Sequence, residues 1–85
     1  LKIEHRKINP SKIEEVLLKP EYIFYDLHTQ SMVAIKEIEL YGNKIHLVVV
    51  FTIEEKGVKI VTVYPCRKID GEIASKEGKR WLRLK

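Results

Sequence analysis

Cysteine occurs once in this chain, at Cys66, so no intramolecular disulfide can form, and no Cys/His set stands at metal-ligand spacing. His5, His28 and His46 are scattered over different segments and form no ligand pair. No apolar run approaches the roughly 18 residues that cross a bilayer, and the first residues do not read as a signal peptide. There are four glycines, and none sits in a phosphate-cradling loop; no Ser/His/Asp or Cys/His constellation of a nucleophilic enzyme is present. These absences point to a reducing, cytoplasmic setting, no membrane contact, no metal and no cofactor.

What is present suits one small domain. Eighty-five residues with an apolar fraction of 45% can supply a modest packed core. The charge is unevenly placed. Residues 1–66 hold nine Lys/Arg and nine Asp/Glu, whereas residues 67–85 hold seven Lys/Arg against three Asp/Glu, so the whole formal charge of +4 falls in the last nineteen residues. Such a segment is either a solvated basic tail or the electrostatic footprint of a polyanion binder.

Asn9-Pro10-Ser11 is a helix start. Asn9 can cap with Pro10 in the first helical position, or Ser11 can cap with Glu14 three residues on. Ile13, Val16 and Leu17 make one apolar stripe, and Lys19 before Pro20 ends the helix near Leu18. Nine residues are too few to stay helical alone, so packing on a sheet must hold the segment. Alternation over residues 21–28, the runs Met32–Tyr41 and Lys44–Ile53, and Val58–Tyr64 predict four strands. Gly42-Asn43 reads as a two-residue hairpin turn, with Gly supplying the positive φ. The expected fold is therefore α+β: a short N-terminal helix packed on a four-stranded antiparallel β-meander, with a basic C-terminal tail.

With Tyr41 opposite Lys44, one face of the hairpin pairs Leu40 with Ile45, Ile38 with Leu47, Ala34 with Phe51 and Met32 with Ile53, and this is the core face. The other face, with Glu39 opposite His46 and Glu37 opposite Val48, suits a half-wet surface. Lys36 breaks the core face. If Val58 faces Ile53, Thr62 falls opposite Val49, and Lys36 and Thr62 stand about 10 Å apart across the sheet, with Tyr64 one pleat further on. A bulge in the 54–58 loop would instead turn Val61 and Val63 inward. Lys36 is thus either a functional cation or a lysine whose stem covers apolar neighbours. Cys66 reads as a small packed hydrophobe, and His28 as a loop residue.

The helix motif Ile13-Glu14-Glu15-Val16-Leu17 closed by Lys19-Pro20-Glu21 precedes Val33-Ala34-Ile35-Lys36, Leu47-Val48-Val49-Val50 and Val61-Thr62-Val63-Tyr64-Pro65. In this order, with His5 ahead of the helix, the motifs resemble small BrnT-like and RelE-like domains of the barnase–EndoU–colicin–RelE ribonuclease group. The resemblance spans about residues 5–68, leaving 69–85 as the tail. Relatives carry a longer first helix after the histidine; here only Arg6, Lys7 and Ile8 separate His5 from the cap. The resemblance implies a metal-independent endoribonuclease of toxin type, with RNA as substrate and an antitoxin-like protein as partner. Under that reading Lys36 and Arg67 supply positive charge, Tyr64 or His5 handles protons, and Thr62 positions a phosphate oxygen. Lys68, Lys79, Arg80 and Arg83 add phosphate affinity. Trp81 either stacks a base or anchors the tail. The alternative is a binding module without chemistry, directed at nucleic acid or at a protein.

Overall fold

The computed structural model describes residues 8–40 and 42–85; the expectations placed on His5 and Tyr41 lie outside them. The order of elements is α1 (Pro10–Leu18), β1 (Tyr22–Asp26), β2 (Ser31–Leu40), β3 (Asn43–Glu54), β4 (Gly57–Cys66), α2 (Ile69–Lys76) and β5 (Trp81–Arg83). The fold is α+β, and the meander is antiparallel throughout, as the residue pattern predicts. The segment read as a tail is folded: it supplies a second helix and a fifth strand, and the sheet order is β4-β3-β2-β1-β5.

Helix α1 starts by the first of the two expected routes. Asn9 is the cap, its side-chain oxygen accepts from the Ser11 N–H at 2.9 Å, and Pro10 takes the position where a missing N–H has no consequence. Ile8 and Ile13 flank the cap in the spacing of a hydrophobic staple, and both belong to the core under α1. Val16, fully buried, is the centre of the stripe.

The hairpin closes two residues away from the expected register. Leu40 pairs with Asn43, so Gly42 (φ +79°) holds the second connecting position rather than the first. The pairs are Ile38 with Ile45, Lys36 with Leu47, Ala34 with Val49 and Met32 with Phe51. A shift of two preserves the face of every side chain, because the pleat repeats every two residues. The core face is therefore the one the alternation marks, although the partners differ.

β3 and β4 begin in the expected register, with Ile53 opposite Val58 and Phe51 opposite Ile60. A bulge then intervenes: Val50 faces Thr62, which leaves Val61 as the extra residue. From there Val63 turns toward α1 opposite Val49, and Thr62 and Tyr64 turn to the other side opposite Val50 and Val48. The row Lys36–Val49–Thr62 does not form.

Both faces of the sheet are covered. Under α1 lie Ala34, Ile38, Leu40, Ile45, Leu47, Val49 and Val63. On the opposite face Phe24, Val33, Ile35 and Val48 are sealed by Ile69 and Ile73 of α2 and by Trp81 of β5. That second face was expected to be half-wet; instead Val33, Ile35 and Val48 are fully buried. Each side chain of this kind contributes about 1.5–3 kcal/mol on burial, so the last seventeen residues complete a core.

Candidate functional site

The sequence of β4 after the bulge, the short helix α2 and the return into β5 together line a cleft of about 360 Å³ on the α2 face. Thr62 and Tyr64 come from β4, Glu72 and Lys76 from α2, and Arg80 and Trp81 from the turn into β5; Asp26 and Thr29 close it from the end of β1. Glu72 and Lys76 lie one turn apart on α2, which puts both on the face turned to the cleft.

Two carboxylates organise this cleft. Asp26 is 4% exposed. Its Oδ1 accepts from the backbone N–H groups of His28 (2.9 Å) and Thr29 (3.2 Å) and from Arg80 Nε (3.1 Å). Its Oδ2 accepts from Arg80 Nε (3.0 Å) and from the Trp81 indole N–H (3.2 Å). Burial pushes the Asp26 carboxyl up, but the Arg80 guanidinium, the two backbone N–H groups and the indole outweigh it and hold the group below its ordinary value. Glu72 Oε2 accepts from Lys76 Nζ at 2.8 Å and from the Tyr64 hydroxyl at 3.0 Å. The Lys76 hydrogen bond is the main reason the Glu72 carboxyl lies below its usual range, with burial opposing and Tyr64 assisting. Tyr64 responds in the other direction: burial first, then the Glu72 charge, raise its phenol strongly, so it stays protonated and acts as a donor.

Aromatic packing supports this arrangement from below. The Trp81 ring stacks on Phe24 with centroids 5.0 Å apart, and Lys76 Nζ lies 5.0 Å from the Trp81 centroid. At 2% exposure Trp81 presents no free face to a base. Of the two readings of this residue, the anchor is what the geometry provides. Arg83 is likewise engaged, through two hydrogen bonds to Glu77 (2.9 and 3.1 Å) and a position over the Tyr22 and Phe24 rings.

The expected site residues divide between the two faces of the sheet. Thr62, Tyr64, Arg80 and Trp81 meet in the cleft. Lys36 is on the α1 face, half-buried in a groove with Ser11, Glu14, Glu15, Leu18 and Lys19. Arg67 lines a separate pocket of about 180 Å³ with Leu40, Asn43, Ile45 and Pro65. Lys68, at the cap of α2, and Lys79 are exposed. The bulge at Val61 is the physical cause of the split between Lys36 and the pair Thr62 and Tyr64. His46 is 3.6 Å from Glu21 and, in the observed register, faces Glu37 rather than Glu39. His28 is a loop residue, and Cys66 packs against the α2-side core. Among the described residues no three His, Cys, Asp or Glu side chains gather as a metal site, and no helix is long and apolar enough to cross a membrane.

Asp26, Thr29, Glu72 and Lys76 were not singled out from the sequence. One signal for Glu72 and Lys76 was available: Ile69 and Ile73 stand four apart, the spacing of a helix face, and Glu72 and Lys76 repeat it. Nothing local marks Asp26, because its partners Arg80 and Trp81 lie more than fifty residues away. Comparison with protein-family models, with curated proteins and with solved structures finds no match to this chain.

Proposed function

We propose that this domain acts on RNA as a metal-independent endoribonuclease of toxin type, with the scissile phosphodiester held in the α2-face cleft. One observation carries the reading: a single cleft gathers two ionised carboxylates, a protonated phenol hydrogen-bonded to one of them, and two cations, all beside threonine hydroxyls. Cleavage through the 2′-hydroxyl needs a proton acceptor, a proton donor and positive charge for the phosphorane. In this scheme Glu72 takes the 2′-hydroxyl proton as the 2′-oxygen bonds to phosphorus. The bond from phosphorus to the 5′-oxygen breaks, and Tyr64 gives its proton to that oxygen. The 3.0 Å hydrogen bond between Glu72 and Tyr64 is the path by which the proton returns. The products are a 2′,3′-cyclic phosphate and a 5′-hydroxyl. An antitoxin-like protein that covers the cleft is the partner this activity calls for.

The test is incubation with a mixed RNA pool in EDTA and end-group analysis of the products. Glu72→Gln should lower the cleavage rate by about 100-fold or more while the fold persists. Intact RNA at high concentrations of folded protein overturns the catalytic assignment. A second reading, a nucleic-acid-binding module without chemistry, is favoured by one feature: each carboxylate of the cleft already has its cation, so the network is complete as a structural staple. RNA retained on a filter but never cut supports that reading.

A further inference from the structure

Arg80 meets Asp26 through one nitrogen. Nε alone donates, to both carboxylate oxygens, and among the described residues the two terminal Nη groups make no hydrogen bond. The side chain is 35% exposed and lines the cleft, close enough to Tyr64 and Glu72 that its charge stabilises the ionised form of both. The Asp26 charge behind it is shared among Arg80, the Trp81 indole and two backbone N–H groups, and it is almost wholly buried. Arg80 is therefore fixed at one edge of its guanidinium and open at the other. Thr29, whose backbone is pinned to Asp26, is exposed and lines the same end of the cleft, and its hydroxyl makes no hydrogen bond among the described residues.

From this arrangement we infer that the Asp26 end of the cleft is a phosphate-anchoring site: the Arg80 Nη groups grip two oxygens of an RNA phosphate, the Thr29 hydroxyl donates to one of them, and Asp26 is a positioning residue. The inference rests on reading this cleft as the RNA site, but it names the contact that orients the chain rather than the groups that move protons. A planar fork already held on one side loses little freedom when it binds, and it matches two phosphate oxygens as an ammonium does not. Trp81 is unavailable for stacking, so recognition at this end is of the sugar–phosphate backbone and not of a particular base.

The test is a titration of the full chain with inorganic phosphate and with a dinucleoside monophosphate at low salt, followed by amide, indole and Arg Nε resonances in two-dimensional NMR. Saturable shifts at Arg80 Nε, the Thr29 and His28 amides and the Trp81 indole are expected. Arg80→Lys keeps the charge but not the fork and should weaken binding roughly tenfold, the loss of one charge-assisted contact. Thr29→Val, which leaves the Asp26 staple intact, should weaken it about threefold. Lys56→Ala, in the distant β3–β4 turn, should have no effect. Unchanged affinity in Arg80→Lys and Thr29→Val, or shifts confined to Arg67 and Lys68, overturns the inference. Phosphate bound at Arg80 by a protein that never cleaves RNA leaves this anchor standing and removes the catalytic reading. Cleavage that Arg80→Lys does not slow does the reverse.

Discussion

Asp26→Asn is the perturbation whose outcome the structure constrains best. Asparagine keeps the shape of the side chain and its Oδ1, so the two backbone contacts from His28 and Thr29 and the 3.1 Å branch from Arg80 Nε survive, the last without its ionic partner. At Oδ2 it presents an NH₂ group to two other donors, Arg80 Nε and the Trp81 indole. The charge-assisted contact from Arg80 is worth about 1.5–3 kcal/mol, and a stranded buried donor costs about 1–3 kcal/mol. The Arg80 side chain is 35% exposed, so water re-solvates it and its share falls at the low end. Trp81 has no such recourse at 2% exposure. The expected loss is about 3 kcal/mol, which for a domain of this size lowers Tm by roughly 12–24 °C. Urea titration followed by fluorescence measures it cleanly, because Trp81 is the only tryptophan and sits in the perturbed site.

The same substitution carries a pH signature. The folded-state pKa of Asp26 lies below the ordinary 3.8, so the unfolded chain takes up the proton first as pH falls. Its contribution is complete above about pH 5 and is lost as pH drops through the folded-state value. Glu72 acts in the same direction from 4.5, but it is present in both proteins and cancels in the difference. The stability gap between wild type and Asp26→Asn should therefore be constant near neutrality and shrink below pH 3.8. A loss under about 1 kcal/mol, or a gap that does not close in acid, refutes the staple as the reason this residue is buried.

Three further outcomes follow from the geometry. Lys36→Met should leave any RNA cleavage within about twofold of wild type and stability within about 0.5 kcal/mol, because the methionine keeps the stem and the site lies on the other face; RNA cleavage and urea titration together check it. Deleting Val61 removes the bulge and brings Ile60 and Thr62 into consecutive register with Phe51 and Val50, so Val63 and Tyr64 should keep their faces and the amide protection of β4 should persist in hydrogen exchange. Tyr64→Phe should abolish one component of alkaline destabilisation: the raised phenol favours folding below pH 10, and that stabilisation is lost as pH climbs past it, which denaturation at pH 9–12 would resolve.

The elements whose signals are local were legible. Asn9-Pro10 and Lys19-Pro20 bracket α1 at both ends, and the alternation from Met32 onward identifies the face that packs on it. The hairpin partners differ from the expected ones because Gly42 serves either connecting position and the apolar pattern is indifferent to a shift of two. The bulge at Val61 was not legible, since Ile60-Val61-Thr62-Val63 is β-branched throughout and propensity does not say which residue is the extra one. It decides the site nonetheless, because every side chain after it changes sides.

Residues 69–85 differ from the expected tail for another reason. Charge dominates that segment by count, but its apolar members are the informative ones. Leu47-Val48-Val49-Val50 is an uninterrupted apolar run, as is Val33-Ala34-Ile35, and such runs belong to strands covered on both faces. With α1 able to cover only one, the other face needs a second cover, and among the described residues Ile69, Ile73 and Trp81 supply it. The cations between them are then placed by the core: Lys76 over Trp81, Arg83 over Tyr22 and Phe24, and Arg80 on Asp26. A positive charge held this way has a fixed direction and little remaining entropy to lose. On the proposed reading, that fixed direction is what lets the cleft orient a phosphate where a solvated tail would merely attract one.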